Sequence, residues 1–254
     1  MDQKQGDAVK PVLGVIPARY ASTRFSGKPL ASLAGKEMIA WVIEGVLTAR
    51  LIDQVWVATD DDRIARVAER MGARVAMTDS ALPSGTDRIW AAVEKIDCDV
   101  VINIQGDEPL IQGSLVDSLV QPMLQDPKLE MATLAHAISE EELLSPHSVK
   151  VVVDQAKNAL YFSRSAIPYS RDNARHSQLT GCLKHVGMYA YRKNFLKTFC
   201  AAPQAEIEVA ESLEQLRALY LGAKIKVIQT TEKSCGVDTK DDLLRVEEIL
   251  RQRK

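Results

Sequence analysis

Apolar and polar positions along this chain fall into two alternating kinds of block. Short β-branched runs bounded by turn residues recur, and between them lie stretches whose apolar residues sit at helical spacing. The first run, Val12-Leu13-Gly14-Val15-Ile16, has the length of a buried strand, and Pro17 is expected to end it because proline cannot donate to a sheet ladder. Met38–Ala49 has helical periodicity after a turn at Gly35-Lys36. Gln54–Thr59 reads as a strand ending in Asp60-Asp61-Asp62, Ile64–Met71 as a helix stopped by Gly72, and Arg74–Met77 as a third strand. Ser84–Arg88 opens a helix through Ile96, and the very apolar Asp99–Ile104 runs straight into Gln105-Gly106-Asp107-Glu108-Pro109. A helix over Ser114–Gln125 follows, closed by Asp126-Pro127. This rhythm is that of βαβ units and a parallel sheet.

Beyond residue 130 the pattern changes. Met131–Ala137, Val149–Val153 and Leu160–Ser163 read as strands with shorter links, and Ser170–Thr180 as a mobile polar loop. His185–Tyr191 reads as a strand, Asn194–Phe199 as a short helix, Val209–Leu221 as a longer one, and Lys224–Gln229 as the last strand before a helix from Lys240 to Arg251. No linker is long enough to separate a pair of independent domains. The expectation is one α/β domain over 1–254, with a first half at about 12–130 and a mixed α+β half at about 131–254 built onto it.

The loop after the first strand changes what this fold is for. Residues 17–30, PARYASTRFSGKPL, set three cations, Arg19, Arg24 and Lys28, among small residues that leave backbone N–H groups free to donate. A strand end opening into such a loop is where an α/β sheet binds ligands, and fixed positive charge among backbone donors suits a polyphosphate. The chain has neither G-x-x-x-x-G-K-[ST] nor G-x-G-x-x-G, so a P-loop kinase and a dinucleotide-binding domain lose support. A net charge of −2 and pI near 6.1 argue against nucleic-acid or anionic-membrane partners, which need a basic excess. No apolar run approaches the roughly 18 residues of a membrane span. The polar start MDQKQGDAVKP lacks a signal-peptide core, and four scattered cysteines read as reduced thiols of a cytoplasmic protein.

Asp107 and Asp238 each follow an apolar strand, so each should project at the carboxyl edge of the sheet. Mg²⁺ commonly takes one or two carboxylates plus substrate phosphates, although a single aspartate after a strand more often caps a helix. For Asp60-Asp61-Asp62 the capping role carries most of the weight. His185 and Tyr189, four apart, share one face of a strand. Arg164, Glu214 and Gln215 add groups able to hydrogen-bond a polyhydroxylated carboxylate. Taken singly, these residues also read as ordinary core or surface residues.

In order, GVIPARYASTRFSGKPLASLAGKEMI, VATDD, SGTDRI, VINIQGDEPLI, VKVV, ALYFSRSAIPY, KHVGMYAYR, ESLEQLRAL and GVDTKDDLLRVE span Val12 to Glu248. Together they resemble the 3-deoxy-manno-octulosonate (Kdo) cytidylyltransferase family of lipopolysaccharide synthesis. The resemblance implies a nucleotide-diphospho-sugar transferase-like, Rossmann-like fold: a mainly parallel mixed sheet flanked by helices, with a smaller sugar-binding and dimerisation part. It implies that CTP and Kdo give CMP-Kdo and pyrophosphate with Mg²⁺, in a homodimer. By the same resemblance, Arg19, Arg24 and Lys28 hold the triphosphate. Ser84, Gly85, Thr86, Arg88 and Gln105 hold the cytidine, and Asp107 and Asp238 bind magnesium. Arg164, His185, Tyr189, Glu214 and Gln215 contact the sugar acid, and the charge chemistry falls to Arg19, Lys28, Asp107 and Asp238. Ser26 replaces the proline more usual in the loop, and Val209-Ala210-Glu211-Ser212 is less typical. The acceptor therefore stays open between Kdo, its 8-amino analogue and a sialic acid, with Glu214 or Glu211 as the acid that would meet an amine. A catalytically silent nucleotide-sugar-binding protein is the rival of another class.

Overall fold

The computed structural model describes residues 10–21, 25, 27–169, 181–232, 235–237 and 239–252. Arg24, Ser26, Asp238 and the Ser170–Thr180 loop lie outside these. One sheet organises the described chain, with strand order β11-β7-β10-β6-β1-β4-β5 across β1 (Val12–Ala18), β4 (Gln54–Thr59), β5 (Arg74–Met77), β6 (Val100–Asn103), β7 (Met131–Ala137), β10 (Cys182–Arg192) and β11 (Ile225–Gln229). The pairs β1–β4, β4–β5, β1–β6 and β7–β11 are parallel, and β10 runs against both β6 and β7. The hairpin of β8 (Lys150–Val153) and β9 (Ala159–Ser163) joins the early part of β10, where Cys182 to Lys184 face Val152 to Lys150.

Alternation along the strands sends side chains into two layers. Val12, Ile16, Val57, Ile102 and Met188 meet α1 (Met38–Leu47), α2 (Asp62–Arg70) and α4 (Gly113–Gln125). Leu13, Val15, Ala58, Val101 and Tyr191 meet α3 (Gly85–Val93), α6 (Lys193–Ala201) and α8 (Gln215–Tyr220) on the other face. Elements buried on both sides need continuous apolar strands, which is how β6 reads. A small hairpin, β2 (Ser32–Leu33) with β3 (Lys36–Glu37), packs Leu33 with Met38 against Val237 and against Val246 and Leu250 of α9 (Lys240–Gln252).

Two expectations are corrected and one element is added. Pro17 does not end β1, which continues through Ala18. Val12 exchanges bonds with Asp53 on the β4 side, and the carbonyl of Val15 accepts from Ile104 on the β6 side. By alternation the missing donor of Pro17 faces β6, whose ladder has already stopped at Val15 opposite Asn103, so no bond is lost. The helix over Val209–Leu221 is two helices, α7 (Glu206–Glu211) and α8, broken where Ser212 takes a left-handed φ of 52°. The added element is α5 (Glu140–Leu144), too short for apolar periodicity to reveal, although Ser139 and Glu142 form a capping box at its start.

Candidate active site

Three loops converge on Pro17 at the carboxyl edge of the parallel strands. A Cβ on Gly106 would come within 3.0 Å of the Pro17 carbonyl oxygen and one on Gly85 within 3.5 Å of its Cγ, so both turns close onto the end of β1. The phosphate-loop candidate starts here. Its neck is closed by the Gly27 N–H donating to the carbonyl of Tyr20, with Gly27 at φ 71° under the tyrosine ring. Arg63 stacks its guanidinium on that ring, 3.7 Å from the centroid, while Asp61 holds it in a bidentate pair. Asp61 is also the N-cap of α2, accepting from the Arg63 N–H, so the acidic run does cap a helix. No group of three or more metal-ligating side chains occurs among the described residues.

Arg19 is exposed at the loop's start, whereas Lys28 turns inward and donates to Asp107 Oδ2 at 2.7 Å. Asp107 keeps 34% of its side chain exposed, against 13% for Lys28. The backbone N–H of Val237 donates to the Asp107 carbonyl and that of Cys235 to Glu108 Oε2, which docks the segment before Asp238 on the same turn.

On the opposite flank Ser84 caps α3, accepting from the Asp87 N–H at 3.1 Å and donating to its carboxylate at 2.7 Å. Thr86 is buried and donates to Glu214 Oε2 at 2.6 Å, tying the turn to residues 128 positions away. Burial raises the pKa of Glu214, against the hydrogen bond from Thr86 and the charge of Arg217. Gln105 donates to Asn103 at the end of β6. Arg88 is placed differently from its expected neighbours: 3% exposed, it donates to Thr78 at 2.6 Å and lies 3.7 Å from Asp60. It braces the turn from inside while Ser84 and Gly85 form its surface.

His185 and Tyr189 do stand together on β10, ring centroids 5.4 Å apart, with Phe162 edge-on to the imidazole at 5.0 Å. The register against β7 skips between Val186 and Tyr189, and there Thr133 Oγ1 donates to the Met188 carbonyl at 2.8 Å and meets His185 Nε2 at 2.9 Å. A hydroxyl has one proton, so the shared contact makes His185 Nε2 the donor and leaves Nδ1 as an acceptor. Burial holds the imidazole neutral, its pKa pushed down to about 3, and pushes the Tyr189 phenol up. Gln215 is buried and its Nε2 has no hydrogen-bond partner among the described residues. Arg164 is held by carbonyls: Nε by Glu211 at 2.9 Å, Nη1 by Pro146 at 3.2 Å and Nη2 by Ser212 at 3.4 Å. Glu211 spends both carboxylate oxygens on Ser163 Oγ and the Arg164 N–H.

A cationic loop, a carboxylate beside it and a polar wall on β10 together describe a protein that moves a nucleotidyl group, and residues 13–225 match the cytidylyltransferase family profile. A relative from Bdellovibrio bacteriovorus named 3-deoxy-manno-octulosonate cytidylyltransferase is 60% identical over 240 residues, covering 94% of this chain and 97% of its own. One of the same name from Geobacter sulfurreducens is 46% identical over 248 residues, covering 94% and 99%. A solved structure of CMP:2-keto-3-deoxy-manno-octonic acid synthetase complexed with CTP matches at a TM-score of 0.91 and 43% identity, over 96% of this chain and 100% of that one. The chain belongs to the 3-deoxy-manno-octulosonate cytidylyltransferase family. A cytidylyltransferase from Leptospira borgpetersenii, 14% identical with a TM-score of 0.66, shares the fold over 96% of this chain and 88% of its own.

Proposed function

We propose that this enzyme transfers the cytidylyl group of CTP to Kdo, giving CMP-Kdo and pyrophosphate for lipopolysaccharide synthesis, with Mg²⁺ as its ion. The reading further takes it to work in the cytoplasm as a homodimer. The observation that carries the chemistry is the junction at Asp107, where Lys28 of the cationic loop and the segment before Asp238 meet one aspartate. No helix of the described residues is long and apolar enough to cross a membrane, in keeping with soluble substrates.

The reaction forms a bond from the anomeric hydroxyl oxygen of the sugar acid to the α-phosphorus. It breaks the bond from that phosphorus to the oxygen bridging to the β-phosphate, which leaves with pyrophosphate. Such displacements depend on positioning and charge neutralisation more than on covalent chemistry. Arg19, Arg24 and Lys28 offset the charge gathering on pyrophosphate. The turns Ser84–Thr86 and Gln105 border the nucleoside, and Arg88 stiffens the first of them. His185 Nδ1 accepts a sugar hydroxyl, Gln215 Nε2 donates to a sugar oxygen, and Arg164 faces the carboxylate. Among the two acids considered for an amine-bearing acceptor, Glu211 is already spent on Ser163 and Arg164, which leaves Glu214.

The donor set fits a hard divalent ion. Asp107 presents a part-exposed carboxylate beside the loop that would carry the phosphates, the mix Mg²⁺ takes. Asp107 and Asp238 would hold it, and when bound it lowers the pKa of the attacking hydroxyl and neutralises phosphate charge.

Pyrophosphate release with CTP and Mg²⁺ is measured with Kdo, 8-amino-Kdo and N-acetylneuraminate in parallel. Release with Kdo is expected, and release with another acid alone would move the acceptor assignment. Silence with all three, in folded protein that still binds CTP, would favour a binding protein. In Asp107→Ala, turnover falls about 1000-fold while CTP affinity is largely kept.

A further inference from the structure

Lys150, the lysine of VKVV, has no role in the chemistry above, yet it is fully buried with its side chain ionisable. Its Nζ donates to the carbonyls of Ser145 at 2.9 Å, Ser148 at 2.7 Å and Arg164. Three protons meet three neutral acceptors, so the ammonium is satisfied without a carboxylate. The opposite side of Arg164 is held by Glu211, whose Oε2 takes the Arg164 N–H at 2.8 Å and whose Oε1 takes the Ser163 hydroxyl at 2.6 Å. The Glu211 carbonyl then accepts from Arg164 Nε, and the left-handed turn at Ser212 brings a second carbonyl to Nη2. Arg164 thus has its C=O, its N–H and one edge of its guanidinium fixed from two elements, β8 and α7. The Pro146 carbonyl takes one Nη1 N–H as well, so of its five side-chain N–H groups two have no protein partner among the described residues, the number a carboxylate takes.

We propose that Lys150 and Glu211 are positioning residues that clamp the backbone and one edge of Arg164, so that the guanidinium's remaining donors are aimed at the carboxylate of the acceptor. Neither touches substrate. The inference rests on the reading that Arg164 contacts the sugar acid. A flexible arginine would have to order its side chain on binding, and the clamp removes that cost beforehand.

The test is a double-mutant cycle read as KM for the sugar acid and KM for CTP. Arg164→Ala should raise the sugar-acid KM at least 30-fold. Glu211→Gln should raise it about 10-fold, leave the CTP KM within twofold, and add nothing further in the Arg164→Ala background. Glu211→Asp should recover some of the loss. If Arg164→Ala leaves the sugar-acid KM unchanged, the contact assigned to Arg164 fails and the clamp with it. If that variant responds but Glu211→Gln does not, or if the two effects simply add, the clamp alone is overturned. Should Glu211→Gln not fold, Ser163→Ala removes the hydroxyl on Oε1 together with the acceptor of the Ser165 N–H. It is then expected to give about a threefold rise with the same non-additivity, and no rise would count against the proposal.

Discussion

The two halves of this enzyme build their site walls in different ways. On the parallel side, the groups sit in turns after β1, β4, β5 and β6, and several are capped from a few residues away, as Ser84 is by Asp87 and Asp61 by Arg63, with Lys28 reaching across 79 positions to Asp107. On the side of β10 nothing local suffices. Glu214 is held by Thr86, Arg164 by Glu211, His185 by Thr133, and the partners are 128, 47 and 52 positions apart. A phosphate site is made by strand ends and backbone donors, which a βαβ unit supplies by its geometry. A site for a polyhydroxylated acid needs side chains of set orientation, and these are set by tertiary contacts.

The sharpest break of that comparison comes from the buried pair that joins α7 to α8. Arg217 bonds both oxygens of Glu208, at 2.8 and 2.5 Å, with both side chains nearly fully buried. Arg217→Met is expected to cost about 3–5 kcal/mol, because it strands a buried carboxylate, and pairing it with Glu208→Gln should return much of this. Urea midpoints of the unchanged protein and of these two variants decide it. On the parallel side the corresponding change affects catalysis more than folding. Lys28→Ala should lower kcat/KM for CTP about 100-fold, roughly 2.7 kcal/mol, with the sugar-acid KM changed only severalfold. A smaller effect distinguishes the walls by pH. The His185 pKa is depressed by burial, so between about 6.5 and about 3 the unfolded chain binds a proton that the folded chain does not. Stability therefore falls as pH drops through that window, by up to about 1.4 kcal/mol per unit from this group, and His185→Gln should flatten the slope between pH 4 and 6. The smallest change has opposite signs for folding and binding. Gln215→Leu removes a buried donor that has no partner among the described residues and should stabilise the protein by about 1 kcal/mol, while raising the sugar-acid KM about 10-fold. Thermal melts and initial rates on the same sample test both halves of that statement.

The same contrast explains what the sequence made legible. Gln54–Thr59, Arg74–Met77 and Met131–Ala137 were readable to the residue, because apolar runs flanked by turn formers leave little choice of bounds. The loop cations and Asp107 announced themselves by position after a strand. The groups on β10 were nominated through family resemblance, since a histidine and a tyrosine in an apolar strand read equally well as core. What escaped was whatever depends on direction in space. The tolerance of Pro17 turns on which side of β1 has a partner. The break at Ser212 has no glycine or proline to mark it. Arg88, expected beside the cytidine, lies buried with its guanidinium on Thr78. Glu211 and Lys150 could have been found only as charged residues set in otherwise apolar or helical contexts, a signal too common to single them out.

The reversed strand β10 also has a consequence for how the chain is made. β6 and β7 are neighbours in sequence but not in the sheet, because β10 lies between them. As the polypeptide emerges from the ribosome, β1, β4, β5 and β6 can assemble, yet β6 must wait with an open edge until Arg192 arrives, roughly ninety residues later. At 5–20 residues per second that is an interval on the order of ten seconds. During it, β7 has neither of its final partners. The nascent chain is then open to edge pairing with other chains, and synonymous changes that slow translation between residues 104 and 192 should lower soluble yield without altering the finished enzyme.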